Sequence, residues 1–173
     1  MVKLDAGQLR VSEPTKAQIG KIARRNIYII CDNVLDTYNI GSIFRLADAV
    51  AAKCVYLCWQ TETPPYHRIT KAAVGTEKWV PWLYFANAKT AISKLKSQIS
   101  NLKVVAIEQS PKSIDFRKAN YELPIAFVVG NETSGVSREA LAISDQIVEI
   151  PMFGVNKSLN VMVSLAIVLY KVL

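Results

Sequence analysis

The chain has 173 residues, 51% of them hydrophobic, which suits one domain with a sizeable core and excludes a disordered segment. Twenty-one Lys and Arg against fourteen Asp and Glu leave a formal net charge of +7, a balance that favours a polyanionic partner such as nucleic acid. The N-terminus, Met1-Val-Lys-Leu-Asp-Ala-Gly, has no apolar leader core, and the apolar C-terminal run is shorter than the roughly 20 residues of a membrane span.

Residues 1–25 read as a short basic N-terminal extension, with Glu13-Pro14-Thr15 opening a helix over Lys16–Arg25. Asn26-Ile-Tyr-Ile-Ile-Cys31 is a near-continuous apolar strand of the kind buried on both faces of a parallel sheet. A polar loop, Asp32 to Asn39, precedes a helix from Gly41 to Val50, and Lys53 to Cys58 is the second strand. The stretch from Trp59 to Glu77 reads as a long loop, a length that points to function. Trp79 to Phe85 is strand-like, and Ala88 to Ile99 is an amphipathic helix. Strands follow at Lys103–Glu108, Pro124–Gly130 and Gln146–Ile150, with a short helix at Ser137–Ile143. Strands and helices alternate, so the class is α/β with a mostly parallel sheet and helices on both faces.

The last helix follows Ser158, a natural N-cap. Leu159, Met162, Val163, Ala166 and Tyr170 fall on one face and Val161, Leu165 and Val168 on the other, so it is apolar all round. Such a helix is buried on every side, and in a chain this small that implies cover from a partner subunit, with Leu165 in the contact.

Cys31, Cys54 and Cys58 are an odd number set in apolar runs and read as buried reduced thiols of a cytosolic protein. No further Cys or His pair completes a tetrahedral set with Cys54 and Cys58, so no metal site is expected. His67, the one histidine, sits in the 59–77 loop and reads as a nucleic-acid contact or a plain loop residue rather than a catalytic group.

Three constellations carry chemistry. In Asn39-Ile-Gly-Ser-Ile-Phe-Arg45, Gly41 allows a tight turn and Arg45 sits one helical turn in. An Asn and an Arg there also serve as a cap and a surface ion pair; the functional reading is a guanidinium that holds a phosphate or oxyanion bidentately. In Phe127-Val-Val-Gly-Asn-Glu-Thr-Ser-Gly135 a buried strand ends between two glycines, at the carboxyl edge where open α/β sheets bind ligands. The spacing matches neither a phosphate-binding P-loop nor a dinucleotide fingerprint, which disfavours a nicotinamide-dependent oxidoreductase. Glu132 faces the same crevice. The third is Ile150-Pro-Met followed by Ser158-Leu-Asn160.

In this order, N-x-G-x-x-x-R, V-V-G-N-E-x-x-G and I-P-M…S-L-N-V resemble the three motifs of the SpoU (TrmH-type) RNA 2′-O-ribose methyltransferases of the SPOUT superfamily, over about Asn26 to Tyr170. The resemblance implies a methyltransferase domain over 26–173 whose C-terminal part forms a deep trefoil knot. It implies a cytoplasmic homodimer joined through the C-terminal helix, S-adenosylmethionine as cofactor, and RNA (tRNA or rRNA) as partner. It places main-chain groups around Ile107, Gly130, Ile150 and Leu159 on the cofactor. Asn39, Arg45, Glu132, Ser158 and Asn160 fall at the reaction centre. The guanidinium is favoured as clamp and oxyanion stabiliser over general base. Many relatives carry further RNA-binding parts, so grip on RNA is expected from the basic N-terminus, the 59–77 loop and the partner. The competing readings are an RNA-binding module without turnover and a base-directed methyltransferase of the same superfamily.

Overall fold

In a computed structural model of the chain, which describes residues 3–173, the apolar runs become strands of one sheet: β1 (Arg25–Asp32), β2 (Ala52–Cys58), β3 (Trp82–Phe85), β4 (Lys103–Ile107), β5 (Ile114–Asp115), β6 (Ile125–Gly130) and β7 (Gln146–Glu149). The helices are α1 (Ala6–Val11), α2 (Lys16–Gly20), α3 (Thr37–Ala49), α4 (His67–Ala73), α5 (Ala88–Gln98), α6 (Arg138–Leu141) and α7 (Val161–Leu169). The strand order is β3-β2-β1-β6-β4-β7-β5, and every pairing is parallel. Met1 and Val2, part of the expected N-terminal extension, lie outside the described residues. None of the described helices is long and apolar enough to cross a membrane.

Alternation of side chains along the strands splits the core in two. Ile27, Ile29 and Cys31 of β1 and Phe127 and Val129 of β6 turn to the face covered by α3, α4 and α7. Tyr28, Ile30, Ala126 and Val128 turn to the other face, against Ile92 and Leu95 of α5 and Ala140 of α6. Both faces are therefore covered, as the continuous apolar runs require.

Several expectations are corrected. α3 begins at Thr37, not Gly41, because Asp36 caps it, its carboxylate accepting from the Tyr38 N–H at 2.8 Å. Asn39 and Gly41 are therefore helical, and Gly41 makes no turn. A Cβ at Gly41 would stand 2.6 Å from both the Ala72 Cβ and the Ile69 carbonyl oxygen, so this glycine lets α3 and α4 touch backbone to backbone. The expected 59–77 loop is partly helical, holding α4 and a 3-10 turn at Thr76–Lys78.

The basic N-terminal helix stops at Gly20, and Arg25 already belongs to β1. Arg24 turns inward: its guanidinium donates to the Ala52 carbonyl at 3.0 Å and the Trp79 carbonyl at 2.6 Å. The segment before it packs onto the domain, with the Trp79 indole N–H donating to Ser12 Oγ at 2.8 Å and Lys78 paired to Glu13.

α7 is capped by Asn160 rather than Ser158: Asn160 Oδ1 accepts from the N–H groups of Met162 at 2.9 Å and Val163 at 3.4 Å. Leu165, Val168 and Leu169 are wholly buried by the chain's own sheet and α3, so Leu165 belongs to the core and not to a partner contact. The opposite side stays open, with Val163 at 38%, Ile167 at 37% and Tyr170 at 55% exposure.

An isolated helical glycine gains about 1 kcal/mol on replacement by alanine. At Gly41 the sign should reverse: Gly41→Ala is expected to cost about 1–3 kcal/mol through overpacking against α4, read as a lowered midpoint of denaturant unfolding at unchanged slope.

Candidate functional site

The carboxyl ends of β6, β4 and β7 open onto a cleft of about 440 Å³. It lies one strand over from the place where the chain's order reverses, between β1 and β6. Ile107, Gly130, Ile150 and Leu159, expected around a cofactor, all line it, and so do Glu132, Ser158 and Asn160. Asn39 and Arg45 do not.

Gly130 and Gly135 shape its wall. Asn131 and Gly135 exchange backbone hydrogen bonds at 3.0 and 2.9 Å, folding the loop back so that a Cβ on Gly130 would strike the Gly135–Val136 backbone. Asn131 Oδ1 accepts from the N–H groups of Thr133 and Ser134, both at 2.9 Å, and its amide donates to the Asn33 carbonyl at 3.0 Å. Gly135 holds φ +71, a left-handed conformation that favours glycine, and the Glu108 carboxylate fills the space a side chain would need.

Glu132 is the junction of the site. Its carboxylate accepts from the Leu35 N–H at 3.2 Å, the Asp36 N–H at 3.1 Å and the Asn39 side-chain amide at 2.9 Å. Asn39, 6% exposed, in turn accepts from the Asn160 amide at 2.9 Å through its Oδ1. All three sequence motifs thus meet in one chain of hydrogen bonds. Burial pushes the Glu132 carboxyl up, but the bonds from Asn39 and from backbone N–H groups outweigh it and hold the group below its ordinary value of 4.5. Glu132 is therefore an ionised clamp with its oxygens engaged, not a base poised to take a proton.

Arg45 stands apart. It lies about 240° round α3 from Asn39, is exposed, and forms no salt bridge among the described residues. It falls one turn beyond Gly41, on the side of α3 that meets α4, where Arg68 and Lys71 are also exposed. Ser158 is exposed at the mouth of the cleft.

Sequence reasoning missed three acids that end or flank buried strands. Asp32 accepts from the Ser137 N–H at 2.8 Å, Glu108 from the Val136 N–H at 2.8 Å, and Glu149 from the Ser113 hydroxyl at 2.8 Å. A carboxylate closing an apolar run, as in Ile-Ile-Cys-Asp32 and Val-Ala-Ile-Glu108, was the available signal. With Glu132, Glu108 and Glu149 the cleft carries three carboxylates and no Lys, Arg or His, in a chain of net charge +7. Such a cleft favours a cationic ligand over a phosphate.

The three cysteines are free and buried. Burial pushes the Cys54 thiol up to about 11 and the Cys58 thiol up to about 12, which leaves them inert. Among the described residues no three His, Cys, Asp or Glu side chains gather to hold a metal ion.

Fold and site together define a parallel-sheet α/β domain with an acid-lined ligand cleft at the carboxyl edge of its strands. The model of the SpoU rRNA Methylase family matches residues 26–170. The tRNA (guanosine(18)-2'-O)-methyltransferase of Escherichia coli (strain K12) is 33% identical over 152 residues, 87% of this chain, which spans 65% of that relative's length. The enzyme of the same name from Thermus thermophilus is 31% identical over 163 residues, covering 92% of this chain and 82% of its own. Among solved structures, the A. aeolicus TrmH/SpoU tRNA modifying enzyme superposes with a TM-score of 0.78 at 30% identity, over 96% of this chain and 80% of that one. An AdoMet-bound rRNA methyltransferase from Sinorhizobium meliloti gives 0.77 at 27% identity, over 95% and 59%. The chain belongs to the SpoU rRNA Methylase family.

Glu132→Gln turns an NH2 towards donors and removes the charge. Because the carboxyl titrates below its ordinary value when folded, its stabilisation is full above that value and fades as pH falls through the folded one. The variant should be less stable than wild type by about 1 kcal/mol at pH 7 after solvent screening, and the gap should close on acidification; thermal melts across pH check this.

Proposed function

We propose that the chain is an S-adenosylmethionine-dependent RNA 2′-O-ribose methyltransferase acting on tRNA or rRNA. The observation that carries this reading is the acid-lined cleft joined to the Glu132–Asn39–Asn160 chain. The family membership and the printed activities of the E. coli and Thermus relatives support it.

The cleft fits S-adenosylmethionine on two grounds. Its volume lies within the roughly 300–1,000 Å³ range of ligand sites, and its three carboxylates suit a ligand bearing a sulfonium and an ammonium. Main-chain groups around Ile107, Gly130, Ile150 and Leu159 would hold it. When bound, it would supply an electrophilic methyl: the ribose 2′-oxygen would form the new O–C bond while the C–S bond breaks, its electron pair staying on the sulfur of the departing S-adenosylhomocysteine, as the hydroxyl proton leaves.

The protein's own part is mostly positioning. Glu132 secures the entry to α3 and orients Asn39, which orients Asn160 at the cleft mouth beside Ser158. Arg45, with exposed Arg68 and Lys71 on the adjoining α4, would take the RNA phosphate and so position the ribose. A guanidinium holds its proton in proteins, so proton removal falls to water or the RNA phosphate.

Further parts of this proposal concern assembly. The residues 26–173 form the methyltransferase domain and 1–25 an extension, whose Ser12 and Glu13 bind the domain at Trp79 and Lys78. The C-terminal segment passes through a trefoil knot; its return from β7 to cover the β6 and β4 face with α7 supports this. The open side of α7, with Val163, Ile167 and Tyr170, joins a second copy. Three buried free thiols fit a cytoplasmic setting.

Transfer of labelled methyl to unmodified tRNA and rRNA transcripts, followed by nucleoside analysis, tests the activity. A 2′-O-methylated nucleoside is expected. A methylated base would replace the reading with base methylation, and tight cofactor and RNA binding without transfer would replace it with a binding module. Arg45→Ala should lower transfer by at least about 100-fold while cofactor affinity stays within about twofold. Ile167→Glu should sediment as a monomer that still melts cooperatively, since the charge enters a face the chain itself leaves open.

A further inference from the structure

We infer that Trp59, with Tyr84 and Trp82 beside it, is a stacking platform for an unpaired base of the RNA, one that flanks the nucleotide being methylated. The inference rests on the RNA-directed reading above and adds to it a subsite for single-stranded RNA.

Trp59 is 58% exposed and Tyr84 53%, an uncommon amount of aromatic surface to leave in water. Trp59 also holds φ +55, a left-handed conformation that is a true outlier for so bulky a residue. Strain of this kind persists only where the surroundings over-determine it, and it concentrates at ligand clamps. The surroundings here do over-determine it. The Trp59 N–H donates to the Phe85 carbonyl at 3.0 Å, and its own carbonyl accepts from the Tyr84 hydroxyl at 2.9 Å.

Directly beneath, Thr61 is 2% exposed, its N–H donating to the Cys58 carbonyl at 3.1 Å and its hydroxyl to the Cys31 carbonyl at 3.3 Å. The loop is thus pinned to the ends of β1 and β2, and the indole is held outward on a rigid base. Between Trp59, Trp82 and Tyr84 lies an open groove of about 490 Å³. Trp82 and Tyr84 stand two residues apart on β3 and so present the same face.

Charge and position select the occupant. Exposed Arg68 and Lys71 follow on α4, in a chain of net charge +7, while the groove itself holds a single carboxylate, Glu62. Exposed aromatic faces are the means by which proteins hold unpaired bases, which stack without regard to sequence. The platform sits at the same carboxyl edge of the sheet as the Glu132 clamp. β3 is two strands from β1 and three from β6, about 10–15 Å at ordinary strand spacing, within reach of nucleotides neighbouring the target ribose. A duplex hides its base faces and gains nothing from such a surface.

Trp59→Gly separates function from structure, because glycine adopts the left-handed conformation without strain. The full chain, wild type and variant, is titrated with a short single-stranded RNA oligonucleotide and with the same sequence as a duplex, without cofactor. Indole fluorescence and filter binding are the readouts, and melting temperature and S-adenosylmethionine affinity are measured in parallel. The expected result is quenching of the wild-type indole by the single strand and a loss of affinity of about tenfold in the variant, with Trp59→Phe keeping most of it. Melting temperature should be equal or higher, and cofactor affinity unchanged.

Affinity retained in Trp59→Gly, or lost equally for duplex and single strand, overturns the proposal. So does a loss that comes with a lower melting temperature and weaker cofactor binding, which would make Trp59 a structural residue. A wild type that transfers no methyl but shows these binding results would sink the methyltransferase reading and leave the platform standing.

Discussion

One ionised carboxylate ties together stretches of chain that are far apart in sequence. Glu132 sits 93 residues from Asn39, and Asn39 sits 121 residues from Asn160, yet the three are linked by hydrogen bonds of 2.9 Å. A buried amide must have both its ends satisfied, and Asn39 has them: its NH2 meets the carboxylate and its oxygen meets Asn160. Charge-assisted bonds in a partly water-excluded setting are stronger than neutral ones. The entry to α3, the loop after β6 and the start of α7 are consequently held in one arrangement. The mouth of the cleft is built from those same pieces.

Charge is sorted across the molecule in a way the net value of +7 conceals. Acids cap the carboxyl ends of β4, β6 and β7, where they satisfy backbone N–H groups and a hydroxyl and at the same time make the cleft negative. The exposed basic side chains of α3 and α4 lie outside it. A small cation and a polyanion can thus be held at separate places without competing, as the proposed reaction between a sulfonium cofactor and an RNA requires.

The long apolar strands and amphipathic α5 were legible in the sequence because their signals are strong: continuous burial on two faces in one case, a 3.6-residue period in the other. Ile107, Gly130, Ile150 and Leu159 are grouped only by the family resemblance, and the structure sets all four on one cleft. What escaped was short or contextual. β5 has two residues, and α4 seven, too few for any period to register. α1 escaped although Asp5 and Gln8 form a capping box, a four-residue signature the sequence does display. Ser158 and Asn160 are both competent caps, and the choice of Asn160 depends on its second bond, to Asn39, which no local reading contains.

Gly41 and Leu165 mark the same boundary. Each was assigned by its own surroundings, the glycine to a turn and the leucine to a partner's surface. The first is in fact a backbone contact between α3 and α4, and the second is core. The sequence by itself determined the class of fold, the order along the chain of every strand but the two-residue β5, and the motifs that mark the family, since these depend on local pattern and composition. Tertiary structure alone decided strand neighbours, which acid engages which backbone group, which side of α7 is covered, and that Arg45 stands outside the clamp. Those are facts of distance between residues remote in sequence, set by how two helical layers pack on a twisted sheet, and periodicity carries no record of them.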